Sequence, residues 1–289
     1  MNRFAVILIT FLTVNSFAGT LAQFRTQFGT IEVELYDLEK PVTVQNFKRL
    51  VQSGAYQNTI IHRLVPGFVA QGGGFNVFNP ASTNLFAPPW SNLLFTPNFG
   101  MITNEFGVGP FLSNTNGTLT MAKVGGNPDS ATSQWFFNLA NNSAILDGQN
   151  GGFTVFGRVL RDTNNVLTFL NQRTYGDGLL PMGFWYPNDF VATNYFQELP
   201  VNYPGGFHPT YANLVYVDIS LLSVQVMASN QVAFIAWNSV PGKTNLVEFT
   251  TNFPPAWQTL ATTNGNGTRL TVADPAANPR RFYRIRVIY

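Results

Sequence analysis

Short segments in which apolar and polar residues alternate recur along this 289-residue chain and limit the folds it can adopt. In residues 24–37, FRTQFGTIEVELYD, the side chains of Ile31, Val33 and Leu35 point to one side of the segment. A period of two residues indicates a β-strand with one buried face, and the Gly at the centre of residues 28–30 indicates a hairpin turn. The chain is therefore predicted to be mainly β.

Two segments have the period of an amphipathic helix instead. The first is PVTVQNFKRLVQSG, residues 41–54, for which Thr43 is the predicted N-cap and Gly54 the predicted end. Its apolar face consists of Val44, Phe47, Leu50 and Val51. The second, NNVLTFLNQ, is shorter and covers residues 164–172. The sequence thus predicts two helices among many strands.

The remaining segments set the predicted domain organisation. Residues 76–103 and 174–207 contain many Pro, Gly and Asn residues with little periodicity, and they are predicted to be long surface loops. From residue 224 onward, short strand-like runs alternate with turn signals, which is typical of a small β-sandwich. We therefore expect one domain over residues 19–223 and a second over residues 224–289.

The first 18 residues have the pattern of an export signal. A short positive start, MNR, precedes an apolar run of eleven residues, and Ser16 and Ala18 are the small residues of a cleavage site. The run is too short to cross a bilayer, which needs about 20 residues. We expect cleavage after Ala18 and a mature protein that is periplasmic, cell-surface or secreted, without a membrane span. A cut after Ala22 and a buried N-terminal strand are the alternatives.

Composition excludes several classes of function. The chain has 16 Lys and Arg against 14 Asp and Glu, whereas nucleic-acid binding requires a strong basic field. It has no Cys, and therefore neither disulfides nor thiolate catalysis. Its two histidines, His62 and His208, are too far apart in sequence to suggest a zinc site. No metal and no cofactor are predicted.

The most unusual segment is HRLVPGFVAQGGGF, residues 62–75, which places Arg63 in an apolar run followed by three glycines. A single arginine in such a run is usually a surface residue whose head group reaches water. The glycines resemble a phosphate-binding loop, but the GK[ST] sequence and a following helix are missing. The segment also has no Ser or Cys nucleophile, so any chemistry here proceeds without one.

Taken with other motifs in the same order, this segment resembles the cyclophilin family of peptidyl-prolyl isomerases, in its bacterial branch. The other motifs are NEF, GTLTMA, SATSQWFFNL, LDG and FTVFGRV, and the resemblance covers residues 22–172. It implies a closed eight-stranded antiparallel β-barrel capped by two helices, which accelerates rotation about X-Pro bonds. The implied partners are unfolded or flexible polypeptides that contain proline.

The resemblance also implies the site residues. Arg63 and Gln71 match the catalytic arginine and its glutamine. The residues implied to bind substrate are Phe68, Val69, Ala122, Lys123, Gln134, Phe136, Leu146 and Phe153. Strand alternation allows only one of Phe136 and Phe137 to face the pocket, and the resemblance selects Phe136. Ile145 replaces the family's tryptophan, so weak or no binding of cyclosporin is expected.

Two other functions remain open at this stage. A cyclophilin-like domain can hold proline-containing segments without turning them over, and the predicted loop at 76–103 would favour this by narrowing the groove. Alternatively, the C-terminal β domain binds glycans or other envelope components through exposed aromatic residues, for which Trp237 and Trp257 are the candidates; the other interpretation of both tryptophans is that they are core residues.

Overall fold

The computed structural model describes residues 20–203, 208–222, 224–229, 232–239, 242–252, 254–266, 268–275 and 281–288. The predicted export signal, residues 1–18, lies outside the described residues. None of the helices within these ranges is both long and apolar enough to cross a bilayer.

The first twelve strands and five helices precede residue 223. The strands are β1 (Leu21–Thr26), β2 (Gly29–Leu35), β3 (Thr59–Val65), β4 (Val69–Val77), β5 (Leu93–Phe95), β6 (Thr118–Met121), β7 (Trp135–Asn138), β8 (Val155–Asp162), β9 (Thr174–Tyr175), β10 (Gly178–Leu180), β11 (Leu199–Pro200) and β12 (Tyr216–Leu222). The helices are α1 (Pro41–Gln52), α2 (Ser143–Leu146), α3 (Val166–Asn171), α4 (Met182–Trp185) and α5 (Phe190–Tyr195).

Eight of these strands form a closed antiparallel barrel. Their order is β3-β12-β1-β2-β8-β6-β7-β4, and β4 pairs with β3 to close the ring, while β5 adds to β4 from outside. Phe24, Trp135, Phe137 and Phe156 fill the interior, because the period of two residues along each strand directs alternate side chains inward. The predicted barrel is confirmed.

The two predicted helices cover the barrel core. Val44, Phe47 and Leu50 of α1 are fully buried against it, and so are two residues of α3. The prediction that Thr43 caps α1 was wrong, because the helix already begins at Pro41. Its first free backbone N–H groups instead donate to the carboxylate of Glu105, at 3.1 and 2.7 Å. A carboxylate at this end also interacts favourably with the helix dipole.

The two predicted surface loops are largely structured, and they pack together into a second hydrophobic core on the outside of β3 and β4. This outer core consists of buried residues from the two loops, from the barrel strands and from the turn before β12, among them Phe75, Phe86, Trp90, Met182, Phe196, Leu199 and Tyr211. Its rings make edge-on and tilted contacts, such as Phe86 with Tyr211 at 5.1 Å between centroids. Aromatic residues at irregular spacing supply enough apolar area for a core without producing a periodic sequence pattern.

The C-terminal residues form two separate three-stranded sheets, as the β-sandwich prediction requires. Their strands are β13 (Val224–Ser229), β14 (Val232–Asn238), β15 (Thr244–Thr250), β16 (Gln258–Asn264), β17 (Arg269–Asp274) and β18 (Phe282–Ile288), ordered β13-β14-β17 and β16-β15-β18. One core, centred on Ile235, Trp237 and Val247, is shared by both sheets.

Of the two interpretations of Trp237, an exposed binding residue and a core residue, the structure supports the second. Its side chain is fully buried, and its indole N–H donates to the Asn245 side-chain oxygen at 3.1 Å. Trp257 is half-buried, with the guanidinium of Arg284 4.3 Å from its ring centroid. The sandwich therefore offers no pair of free tryptophan faces to a ligand.

Candidate active site

A cluster of apolar side chains, separate from the barrel core, lies on the outer side of the barrel wall. Val69, Phe136 and Leu146 are its buried members, and Phe68, Ala122 and Phe153 pack around them. The rings of Phe136 and Phe153 meet edge to face, with centroids 6.0 Å apart. On β7 the neighbours of Phe136 point into the barrel core, so strand alternation alone turns this ring toward the pocket. These six residues are called the apolar pocket below.

The rim of the apolar pocket is held by Asp147, which directly follows α2. Its carboxylate accepts hydrogen bonds from the Asn114 backbone N–H at 3.0 Å and the Asn114 side-chain amide at 2.8 Å, and from the Ser113 hydroxyl. The Phe153 N–H donates to the Leu146 carbonyl at 3.0 Å. Glu105 in the motif NEF and Asp147 in the motif LDG thus both accept hydrogen bonds from backbone N–H groups, and both carboxylates have structural roles.

A more polar groove of about 370 Å³ adjoins the apolar pocket and shares Ala122 with it. The groove is lined by His62, Arg63, Gln71, Ala122, Lys123, Val124, Ser130, Thr132, Gln134, Phe190, Asn194 and Tyr195. The Gln71 amide donates to the Gln134 side-chain oxygen at 2.7 Å. The structure therefore brings the ten predicted site residues together in two adjoining clusters.

Arg63 lies on β3 and forms an ion pair that the sequence did not suggest. Its Nε atom is 3.3 Å from Oε2 of Glu198, and the Arg63 side chain keeps 35% of its surface exposed. Glu198 immediately precedes β11, and its carbonyl accepts a hydrogen bond from the Leu64 N–H at 2.7 Å. The guanidinium lines the groove and is at the same time bound to a segment predicted to be a loop.

His62, next to Arg63, is a packed residue of the barrel wall. Burial, and to a smaller extent the charge of Arg63, lower the pKa of His62 to about 3, against an opposing hydrogen bond with Gln134. The imidazole is therefore neutral at physiological pH. Its ring contacts Phe75 edge-on at 5.2 Å between centroids.

Lys123 spans the border between the groove and the apolar pocket. Its ammonium donates to the carbonyls of Asn150 and Gly152, at 2.8 and 2.6 Å, and lies 4.8 Å from the centroid of the Phe153 ring. Burial lowers the pKa of Lys123 to about 8, and the charge of Asp129 partly opposes this shift. Lys123 thus fixes the loop that carries Phe153.

At two of the three consecutive glycines of β4 there is no room for a side chain. A Cβ on Gly72 would lie 2.6 Å from the Trp135 ring, and one on Gly73 would lie 2.6 Å from the Ser133 carbonyl oxygen. Gly73 also has a φ of +74°, which side chains with a Cβ rarely adopt. Trp135 fills the barrel core in the space that the missing side chains leave.

Sequence reasoning missed the residues that the predicted loop at 174–207 brings to the groove, which are Phe190, Asn194 and Tyr195 of α5, and Glu198 beside Arg63. A signal for α5 was available, because Asp189 is a typical N-cap residue and accepts a hydrogen bond from the Ala192 N–H at 2.9 Å. No local pattern points to Glu198. Among the residues that the structure describes, no group of three or more His, Asp or Glu side chains could hold a metal ion.

A closed barrel with an apolar pocket beside an arginine defines a cyclophilin-type protein. Residues 21–181 match the family model described as cyclophilin type peptidyl-prolyl cis-trans isomerase, and this chain belongs to that family. The match ends at the residue before α4, so α4, α5 and Glu198 lie beyond it.

Relatives with this description occur in several bacteria. A peptidyl-prolyl cis-trans isomerase of Acinetobacter baylyi is 36% identical over 180 residues, covering 61% of this chain and 87% of the relative. Peptidyl-prolyl cis-trans isomerase A of Dickeya dadantii is 37% identical over 169 residues, covering 55% and 80%. A solved cyclophilin of Cryptosporidium parvum aligns with a TM-score of 0.40 and 21% identity, covering 70% of this chain and 99% of its own.

Proposed function

We propose that this chain is a peptidyl-prolyl cis-trans isomerase that assists the folding of exported proteins. The observation that carries the proposal is the position of the Arg63 guanidinium, in a groove that adjoins the apolar residues to which the resemblance assigns the proline ring. The names of the Acinetobacter baylyi and Dickeya dadantii relatives support the same activity.

The chemistry of the reaction suits a site without a nucleophile. Rotation about an X-Pro bond breaks amide resonance and has a barrier of about 18–20 kcal/mol, while the cis and trans forms differ by only about 0.5–1 kcal/mol. The enzyme therefore has no bond to cleave. It accelerates the reaction by binding the twisted amide more tightly than either planar form.

Arg63 supplies the interaction that only the twisted amide can make. In that state the prolyl nitrogen becomes pyramidal and regains a lone pair, which a guanidinium N–H can approach as a donor. A rate gain on the order of 10⁵ requires about 7 kcal/mol, and one charge-assisted hydrogen bond contributes about 1.5–3 kcal/mol. The remainder comes from holding the two halves of the peptide in place in a preorganised, partly dry site.

The two clusters divide this task. The apolar pocket, through Phe68, Phe136 and Leu146, holds the pyrrolidine ring. The groove, through Gln71, Gln134 and the backbone at Ala122, holds the segment before the proline. Rotation then occurs between the two parts, next to Arg63.

A proline-isomerisation assay on the purified chain tests the proposal. We expect Arg63→Ala to lower kcat/KM at least a hundredfold. Arg158→Ala is the matched control, because it removes the same charge from a surface ion pair with Glu34, 2.9 Å long and outside the groove. Equally slow rates for the wild type and Arg63→Ala would instead indicate the binding module that holds proline segments without turnover.

The export of the protein is also a proposal, supported by the pattern of residues 1–18. Cleavage after Ala18 leaves β1 complete, whereas cleavage after Ala22 removes its first two residues, including the fully buried Ala22. N-terminal sequencing of protein recovered from cell fractions tests this, with Gly19 as the expected first residue. Full-length protein confined to the cytoplasm would contradict it. Weak or no binding of cyclosporin, expected because Ile145 replaces the family's tryptophan, stays a prediction.

A further inference from the structure

Residues 182–200, called the inserted segment below, follow the part of the chain that matches the family and pack against the active site from outside the barrel. Met182, Phe196 and Leu199 anchor it in the outer core and are all fully buried. Between the anchors, α5 lines the groove. The position of the segment is thus fixed by apolar packing, independently of any charged contact.

The backbone of the inserted segment is joined to the strand that carries Arg63. The Leu64 N–H donates to the Glu198 carbonyl at 2.7 Å, which places Glu198 next to Arg63. The Glu198 carboxylate reaches the Arg63 Nε at 3.3 Å. Two fixed backbones therefore hold the two charged groups together.

This contact is the only ionic or hydrogen-bonded contact of the Arg63 side chain within the described ranges. Gln71, the register partner of Arg63 on β4, donates its amide N–H to Gln134 and makes no hydrogen bond to Arg63 within the described residues. A guanidinium has five N–H donors, and a carboxylate at Nε leaves the two terminal amino groups available. Glu198 thus restrains the part of Arg63 nearest the backbone and leaves the outer part to the substrate.

We propose that Glu198 is a positioning residue for Arg63, an inference that rests on the isomerase function proposed above. A long arginine side chain has many rotamers, and ordering it during the reaction reduces the gain from its hydrogen bond. The ion pair orders Arg63 before the peptide arrives. The guanidinium acts on the twisted state of the peptide. Loss of the ion pair should therefore lower kcat and leave KM nearly unchanged.

The alternative is that the pair merely attaches the inserted segment. Glu198→Gln separates the two roles, because glutamine keeps the shape of the side chain and the backbone bond to Leu64 while it removes the charge. Glu34→Gln is the matched control, since it removes the same charge from the pair with Arg158 outside the groove.

The assay measures kcat and KM of wild type, Glu198→Gln, Glu198→Asp and Glu34→Gln, with thermal unfolding recorded for each. We expect kcat to fall about tenfold in Glu198→Gln, with KM within twofold and an unchanged unfolding temperature. Glu198→Asp retains the charge and should recover part of the loss, and Glu34→Gln should match the wild type. If Glu198 acts through Arg63, its substitution should lower kcat only when Arg63 is present. In an Arg63→Lys background, Glu198→Gln should therefore cause no further loss of kcat, because the effects of coupled residues do not add.

A second measurement follows the contact without turnover. In ¹⁵N spectra, the Arg63 Nε–H signal should be resolved in the wild type and broadened by exchange with water in Glu198→Gln. An active wild type with unchanged or higher kcat in Glu198→Gln would overturn the positioning role alone. A wild type without isomerase activity would overturn the proposed function, and this inference with it.

Discussion

Gly73 shows how strictly single positions are constrained in the wall of the barrel. Its φ of +74° and the 2.6 Å between a hypothetical Cβ and the Ser133 carbonyl oxygen are independent obstacles to any side chain. The backbone at Ser133 belongs to the segment that leads into Trp135 and Phe136. A side chain at Gly73 would therefore disturb the barrel core and the apolar pocket together.

We expect Gly73→Ala to lower the free energy of unfolding by about 1–3 kcal/mol, because the strained backbone and the contact with Ser133 both oppose alanine. Gly107→Ala is the control, since a Cβ there has no atom within 4 Å and the backbone is not left-handed. Its effect should stay within about 0.5 kcal/mol. Urea unfolding measures both, and equal stability of the two variants would contradict the steric explanation.

Lys123 makes stability depend on pH at the edge of the apolar pocket. Burial lowers its pKa from 10.5 to about 8 in the folded chain, so between these pH values the unfolded chain binds the additional proton. Stability then rises with pH across this interval and falls as pH decreases toward 8.

The prediction is that the wild type gains stability relative to Lys123→Met when pH is raised from 8 to about 10.5. The comparison with Lys123→Met subtracts the other groups that titrate in this interval. Urea unfolding of both proteins at several pH values measures it. A stability difference that does not change with pH would show that the pKa of Lys123 is not lowered.

At the scale of elements, α5 depends on its N-cap. The Asp189 carboxylate accepts hydrogen bonds from the Ala192 N–H at 2.9 Å and from the Trp90 indole at 3.0 Å. A helix of six residues has little stability of its own, so this double contact and the outer core keep it in place. Its side chains Phe190 and Tyr195 can then serve as a fixed wall of the groove.

Removing this wall should weaken the binding of peptides with a bulky residue before the proline. We expect the double variant Phe190→Ala with Tyr195→Ala to raise their KM about threefold to tenfold, since aromatic contacts contribute about 0.5–1.5 kcal/mol. Peptides with alanine before the proline should change less. Phe184→Ala is the control, because this α4 side chain is 81% exposed and does not line the groove. An equal rise for both kinds of peptide would exclude a role in selectivity.

The elements also show what the sequence could predict. The barrel strands and α1 were predictable because regular periods place apolar residues on one face, and the pocket residues because they occur in short motifs in a family order. The outer core was not predictable, because its aromatic residues follow no period in the sequence and come into contact only when two long segments pack together. The pairing of Glu198 with Arg63 depends on that packing, and it was therefore invisible in the sequence.

At the scale of the whole molecule, closure of the barrel depends on β12, which lies beyond both the family match and the inserted segment. This strand pairs with β1 and β3, and it buries Val217, Ile219 and Leu221. Each such side chain contributes about 1.5–3 kcal/mol, against a total stability of about 5–15 kcal/mol for a typical protein. Among its described residues, by contrast, the C-terminal sandwich contributes none to the groove or the apolar pocket.

Two truncated chains should therefore behave differently. Residues 20–222 should unfold cooperatively and keep kcat/KM within about twofold of the full chain. Residues 20–215 lack β12, and we expect no cooperative unfolding and no activity. Circular dichroism and the isomerisation assay measure this, and an inactive 20–222 chain would assign the C-terminal sandwich a part in catalysis.

The bond between Trp90 and the N-cap of α5 links an indole ring to the wall of the groove. Trp90 is 8% exposed, so its fluorescence is sensitive to any change in how α5 sits on the outer core. A peptide that displaces α5 on binding would alter this emission without an added dye. Trp90 is thus an intrinsic optical probe of the position of α5, and Trp90→Phe would remove its signal.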